Sequence, residues 1–165
     1  MIEVKVANVA IDVKSNMPVI ILKEKKGNKT LPIWVGLFEA QSIAIALENV
    51  KLPRPLTHDL TKNIIEKLHG KVRRVVINDL RNNTYYARIL MNKESEGIEV
   101  DSRPSDAIAL ALRLKVPIYI DESILNRIGT ETEIVETKPI EDKEIEEFKK
   151  KLEDIKPEDF SEGNK

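Results

Sequence analysis

Cysteine is absent from the 165 residues, and histidine occurs only twice, at His58 and His69. The chain therefore has no disulfide framework, no thiolate metal site and no cysteine nucleophile, and a His-rich zinc centre is nearly excluded. Positive charge is not in surplus either, because 27 Lys and Arg oppose 28 Asp and Glu for a formal net charge of −1. Proteins that coat nucleic acid without sequence specificity carry a large surplus of positive charge, so the composition argues against that class of protein. Carboxylates remain as the plausible metal ligands.

Long apolar runs and phosphate-binding loops are also missing. The longest apolar stretches, such as 107–112, are far shorter than the roughly 20 residues of a membrane span. The first residues lack the cationic start and apolar run of a secretory signal, so we expect a cytoplasmic protein without membrane contact. The six glycines never take the spacing of a dinucleotide or P-loop motif. A composition rich in Lys and Glu is compatible with a thermophilic source.

The length suits one domain, and the charge divides the chain in two. Residues 1–135 carry a net charge of +3, whereas residues 136–165 carry −4. In the acidic segment, four apolar residues follow helical spacing and predict a short amphipathic helix: Ile145, Phe148, Leu152 and Ile155. We expect a body over 1–135 and a charged C-terminal helical tail over 136–165, which is either a solvated helix with a frayed end or docked on the body or on a second subunit.

The first third of the sequence predicts antiparallel strands. Apolar residues alternate over 2–13 with a slip of phase near Asn8, which indicates a bulge. The turn residues 25–28 separate two β-branched runs and predict a hairpin. Pro32, in the second run, cannot donate to a ladder and favours an edge strand. Two further strands are expected on either side of 81–83.

Helices interrupt these strands without a regular alternation. Two alanine-rich segments, near 38–47 and 104–112, are apolar over most of their circumference and predict buried helices. A third helix is expected from Thr57, with an apolar stripe at 60, 64, 65 and 68. The predicted class is α+β: a mixed, largely antiparallel sheet packed with two buried Ala-rich helices and one amphipathic helix.

Two polar clusters stand at predicted helix starts, Arg54–Asp59 and Asp101–Asp106. Each places carboxylates, hydroxyls and a guanidinium beside free helix N–H groups. Such a set can bind a phosphate through arginine and the helix N-terminus, or a divalent cation through the carboxylates. A purely structural reading is also open, because carboxylates in first turns stabilise helices and Arg54 and Arg103 can pin loops.

Other polar residues have both a chemical and a structural interpretation. His58 can transfer protons beside Asp59 or form a local hydrogen bond. Glu39 lies at the start of a buried helix, where the helix dipole favours it. Tyr85 and Tyr86 place one ring on each face of a strand, so one should be exposed as a stacking surface or an edge residue.

Three segments resemble the bifunctional nuclease domain family of bacterial, archaeal and plant proteins. They are Leu31–Gly36 followed by Glu39 and Ala40, then Pro53–Asp59, then Asp101–Leu110. The resemblance covers about residues 1–130 and excludes the acidic tail. It implies a compact α+β fold, hydrolysis of both DNA and RNA, and a homo-oligomer. It does not supply a catalytic set.

A mechanism can be built on the two clusters as a hypothesis. One or two Mg²⁺ or Mn²⁺ ions would activate water, and arginines and hydroxyls would clamp the phosphate. In this hypothesis Asp59, Asp101, Asp106 and Glu39 hold metal, Arg54, Arg103, Ser102 and Ser105 bind substrate, and Asp59, Asp101, Asp106 and His58 are catalytic. The hypothesis requires the two clusters to meet in space. The alternative is a non-enzymatic module that binds an anionic ligand or assembles into oligomers.

Overall fold

The fold is taken from a computed structural model, which describes residues 1–131, 135–139 and 150. Its strands are β1 (Ile2–Asp12), β2 (Pro18–Glu24), β3 (Thr30–Trp34), β4 (Gly70–Arg81), β5 (Thr84–Lys93), β6 (Glu96–Ser102), β7 (Ile118–Ile120) and β8 (Thr137–Pro139), and its helices are α1 (Leu37–Leu47), α2 (Thr57–Lys67), α3 (Pro104–Leu114) and α4 (Glu122–Ile128).

The described strands form one open sheet in the order β3-β2-β1-β7-β4-β5-β6, with β8 paired to β1. β4 and β7 run parallel, and the other pairings are antiparallel. This arrangement confirms the predicted α+β class and the mixed, largely antiparallel sheet.

Local features of the sheet follow from individual residues. The register of β1 against β2 shifts between Val6 and Asn8, which is the predicted bulge. Pro32 lies in β3 at the edge of the sheet, as its missing N–H requires. Asn82 and Asn83 both have positive φ and close the β4–β5 hairpin, a conformation that asparagine tolerates well.

The core lies between the sheet and the two alanine-rich helices. α1 and α3 pack against each other, and Ala40, Ala107, Ala109 and Ala111 are fully buried. Small side chains let the two backbones approach closely. Residues 75–77 of β4 are all buried, and because successive side chains point to opposite faces, the sheet is covered on both faces there.

The apolar stripe of α2 does not face this core. Leu60, Ile64 and Leu68 are 52%, 49% and 60% exposed. The half-buried side of the helix instead carries His58 and Asp59, which pair with residues of α3. Ile65, the fourth residue of the stripe, is half-buried too, so polar and apolar contacts together hold α2 against the body. The homo-oligomer stays a prediction.

The predicted tail begins inside the described sheet. Thr137–Pro139 pair with β1, so at least this part of the segment after residue 135 belongs to the ordered body. The amphipathic helix expected over 145–155 lies outside the described residues. None of the helices within the described residues is long and apolar enough to cross a membrane.

Candidate functional site

His58, in the first turn of α2, is held at both ring nitrogens. Its Nδ1 lies 2.9 Å from the Oγ of Ser42 on α1, and its Nε2 lies 3.1 Å from Oδ1 of Asp106 on α3. The His58 side chain is 16% exposed. Three helices therefore contribute one residue each to a continuous serine–histidine–aspartate chain.

The protonation of this chain follows from Asp106. Burial raises the pKa of Asp106, but hydrogen bonds from Arg103 and His58 and the charge of Arg103 outweigh it, so that the pKa lies below its ordinary value of 3.8. An ionised carboxylate can only accept hydrogen bonds, so the His58 nitrogen facing it carries a proton. In the neutral ring, Nδ1 is then the acceptor, and the hydroxyl of Ser42 donates to it.

Arg103 is the N-cap of α3 and joins two carboxylates. Its Nε donates to Asp106 Oδ2 at 2.6 Å and its Nη2 to Asp106 Oδ1 at 3.0 Å. Its Nη1 donates to Glu39 Oε1 at 2.9 Å. These contacts, with the hydrogen bond to Asp106 first, raise the pKa of Arg103 above its usual value. Three of the five guanidinium N–H groups are used, which leaves two for another acceptor on a side chain that is 65% exposed.

These residues line a cleft of about 360 Å³, here called the histidine cleft. The first turns of α1, α2 and α3 all contribute to it, and the N-terminus of a helix favours anions. Its two carboxylates outnumber its one arginine. The lining residues are Phe38, Glu39, Ser42, Leu56, Thr57, His58, Arg103 and Asp106.

Asp59 points away from the histidine cleft. Its Oδ1 accepts from Nε of Arg113 at 2.8 Å, and its Oδ2 accepts from the backbone N–H of Leu56 at 3.0 Å. The Arg113 side chain is only 6% exposed and also donates to the carbonyl of Ser42. Asp59 therefore caps α2 and neutralises a buried guanidinium. Leu56 rather than Thr57 is the N-cap.

The two predicted clusters do meet, through His58 and Asp106, with Arg103 and Glu39 beside them. The remaining predicted residues lie elsewhere. Asp101 is exposed on β6, and Ser102 donates to the carbonyl of Arg103. Ser105 is buried in the first turn of α3, and Arg54 lines a neighbouring cleft.

The carboxylates as arranged do not fit a metal centre. Arg103 engages both oxygens of Asp106 and one of Glu39, while Asp59 is bound by Arg113. Within residues 1–131, 135–139 and 150, no three Asp, Glu or His side chains converge as metal ligands would. Magnesium or manganese binding by these residues stays a prediction, and no step below depends on it.

Sequence reasoning did not name Ser42 or Phe38 as site residues, and it left the partner of Arg113 open. Ser42 and Arg113 complete the network, and Phe38 forms part of the cleft wall with 75% of its surface exposed. A signal for Ser42 existed, because a polar residue in a helix that is apolar almost all round needs a partner. Arg113 shares a face of α3 with Asp106 and needed a partner for the same reason, which proves to be Asp59.

Comparisons with known proteins agree with the motifs. The family model described as the bifunctional nuclease domain matches residues 20–133. An uncharacterised protein of Mycobacterium tuberculosis is 39% identical over 162 residues, covering 96% of this chain and 97% of that protein. Bifunctional nuclease 1 of Oryza sativa subsp. japonica is 36% identical over 114 residues, which cover 67% of this chain and 34% of the rice protein. Bifunctional nuclease 1 of Arabidopsis thaliana is 33% identical over 109 residues, covering 64% of this chain and 34% of that protein.

Proposed function

Because the chain belongs to the bifunctional nuclease domain family, we propose that it hydrolyses phosphodiester bonds of DNA and RNA in the histidine cleft. The observation that carries this proposal is the Ser42–His58–Asp106 chain, which lies beside a guanidinium, that of Arg103, with two unused N–H groups. A proton-transfer group and a phosphate-binding group thus lie in one cavity of about 360 Å³.

Arg103 is the group that binds the reacting phosphate. Its two unused N–H groups can form the paired hydrogen bonds that phosphate oxygens accept from a guanidinium. Asp106 and Glu39 hold the side chain from the opposite side, which fixes its direction before substrate arrives. Such a preorganised cation stabilises the negative charge that develops on the phosphoryl oxygens.

His58 moves the proton. Asp106 keeps Nε2 protonated, so that Nδ1 acts as the base on the side of Ser42. The attacking atom must come within about 3 Å of phosphorus, and the hydroxyl of Ser42 belongs to a residue that is only 6% exposed. A water molecule that takes the place of this hydroxyl at Nδ1 is therefore the proposed nucleophile, and Ser42 positions the ring only until that water binds. As the water oxygen bonds to phosphorus, Nδ1 accepts its proton, the P–O bond to the leaving oxygen breaks, and the imidazolium returns the proton to that oxygen.

Phe38 provides an apolar surface at the same cleft. Phe38 is 75% exposed although it belongs to the wall of the cavity. Aromatic rings stack with every base, and this contact does not select a sequence. Stacking on Phe38 suits an enzyme that accepts both DNA and RNA.

The alternative, a module that binds an anionic ligand without cleaving it, also has an observation in its favour. Arg103 is already neutralised by two carboxylates, as an arginine that only links α1 to α3 would be. The two functions differ in what the loss of the guanidinium does. Loss of a structural arginine lowers the melting temperature, whereas loss of a phosphate-binding arginine lowers the rate of cleavage.

The test compares Arg103→Lys with Arg88→Lys, which changes another exposed, ion-paired arginine on β5. Cleavage of end-labelled single-stranded DNA and RNA and the thermal midpoint are measured for both variants. We expect Arg103→Lys to lower kcat/KM by about 10²-fold, the lower range for loss of one oxyanion donor, with a midpoint close to that of Arg88→Lys. A wild-type protein that leaves both nucleic acids intact would overturn the proposed hydrolysis and favour the binding module.

A further inference from the structure

A second cleft lies on the other side of the start of α2, and it has the opposite charge. It measures about 570 Å³ and is bounded by the end of α1, the α1–α2 connection, α2 and the end of α3. Its charged lining residues are the cations Lys51, Arg54, Lys62, Arg113 and Lys115 and one carboxylate, Asp59. We name it the basic cleft.

The charge of the basic cleft is not neutralised from within. Its lining has four more cations than anions, although the whole chain has a net charge of −1. Arg113 is paired with Asp59, and Lys62 lies 4.0 Å from Glu66. The side chains of Lys51, Arg54 and Lys115 form no hydrogen bond or ion pair with the described part of the chain.

Helix dipoles account for only part of this set of cations. Lys115 caps the C-terminus of α3, where a positive charge is stabilised. Lys51 and Arg54 follow the end of α1 by four and seven residues, beyond the last turn over which the dipole acts. Lys62 lies in the middle of α2.

The basic cleft adjoins the histidine cleft along the chain. Pro55 lines the basic cleft, and the next residue, Leu56, lines the histidine cleft. His58 likewise lines the histidine cleft, and Asp59, which follows it, lines the basic cleft. The first turn of α2 is thus a shared wall. A chain of phosphates that enters one cleft can continue into the other around this turn.

The proposed hydrolysis needs such a neighbour, because the histidine cleft itself is not cationic. Glu39 and Asp106 oppose Arg103 there, so the cleft alone does not attract a polyanion. We propose that the basic cleft binds the phosphate backbone of the single-stranded nucleic acid on one side of the scissile bond. This inference rests on the proposed function, which it deepens by assigning the substrate a second binding site.

A single strand fits the shape of this site. The two clefts are concave and meet at a helix turn, so the bound chain must bend and expose its bases to Phe38. A base of an intact duplex cannot stack on Phe38 unless its base pair opens. Contacts with phosphates alone carry no sequence information, and they make the affinity strongly dependent on salt.

The test measures binding rather than cleavage, in a His58→Asn background that cannot transfer the proton. Lys51→Gln with Arg54→Gln removes two unpaired cations from the basic cleft. Lys71→Gln with Arg73→Gln removes the same charge from exposed positions of β4 and serves as the control. Binding of a fluorescent single-stranded oligonucleotide is titrated by anisotropy at several salt concentrations.

We expect the Lys51/Arg54 double variant to bind more weakly and to flatten the salt slope by about 1.4, since each phosphate contact of a single strand contributes about 0.7. The Lys71/Arg73 control should keep the original slope. Equal slopes in the two double variants would overturn the basic cleft as a binding site, even if the wild type cleaves. Cation-dependent binding by a wild-type protein that cleaves nothing would instead overturn the nuclease proposal alone.

Discussion

The Nε2 atom of His58 lies 3.1 Å from Oδ1 of Asp106, although 48 positions separate the two residues. This contact joins two polar segments of the sequence that are each at the start of a helix. It also fixes the ring so that Nδ1 remains as the acceptor, because Asp106 is ionised. The proposed proton transfer depends on this orientation.

Replacing His58 by Asn should abolish most of the activity without unfolding the protein. Loss of a general acid–base group lowers the rate by about 10²–10⁴, and we expect a fall in kcat of that size for cleavage of an end-labelled oligonucleotide. The other histidine supplies the control. His69 is exposed and has a positive φ of 58°, which asparagine tolerates, so His69→Asn should keep the wild-type kcat. Similar rates in the two variants would remove His58 from the mechanism.

The sheet and the buried helices could be read from the sequence because their signals are local. The bulge near Asn8, the edge position of Pro32 and the asparagine turn at 82–83 each follow from one residue's backbone chemistry. The alanine-rich pattern likewise predicts that α1 and α3 are buried. Local patterns do not determine which strands become neighbours. The position of β7 between β1 and β4 was therefore not predicted.

The candidate site was only half predictable, for a related reason. The motifs indicated Arg103, Asp106 and His58 as site residues. They did not indicate which carboxylate would pair with which cationic side chain. Asp59 is adjacent to His58 in sequence, and yet it points away from the histidine cleft and pairs with Arg113 of α3. Adjacent residues on a helix point about 100° apart, so the pairing depends on how α2 docks on α3. That docking follows from long-range packing.

Asp59→Asn should destabilise the protein, because Asp59 neutralises a guanidinium that is 6% exposed. Leaving Arg113 without its counter-charge is expected to cost about 1–3 kcal/mol in the free energy of unfolding. The measurement is a denaturant titration at neutral pH. A metal ligand would behave in the opposite way, since removing one of several clustered carboxylates relieves repulsion in the metal-free protein. An increase in stability would therefore support the metal role predicted for Asp59.

Asp106→Asn should change how the stability depends on pH. The pKa of Asp106 is lower in the folded protein than its ordinary value of 3.8, so its ionisation stabilises the fold above pH 3.8. That stabilisation is lost as the pH falls through the lowered folded-state pKa. We expect the wild type to exceed the variant by up to about 1 kcal/mol at pH 7, the range of ion pairs that water still reaches. The difference should shrink in acid.

Denaturant midpoints of both proteins, measured from neutral pH into acid, give this difference directly. Asp101→Asn is the matched control, because Asp101 is exposed on β6 and its side chain forms no hydrogen bond with the described residues. A difference between wild type and Asp106→Asn that stays constant through the acid range would contradict the proposed ionisation of Asp106.

Removal of divalent cations should leave the cleavage activity in place. The proposed reaction uses Arg103 for the phosphate and His58 for the proton, and the nearby carboxylates are engaged by guanidinium groups. Cleavage of single-stranded DNA and RNA is therefore expected to persist after dialysis against a chelator, with kcat within about two-fold of the untreated rate, well below the ten-fold change that 1.36 kcal/mol on the barrier produces. His58→Asn protein, purified in parallel, reports any contaminating nuclease. Activity that disappears on chelation and returns with Mg²⁺ or Mn²⁺ would show that carboxylates leave their arginines to bind metal, and Glu39→Gln and Asp106→Asn would then weaken the metal response.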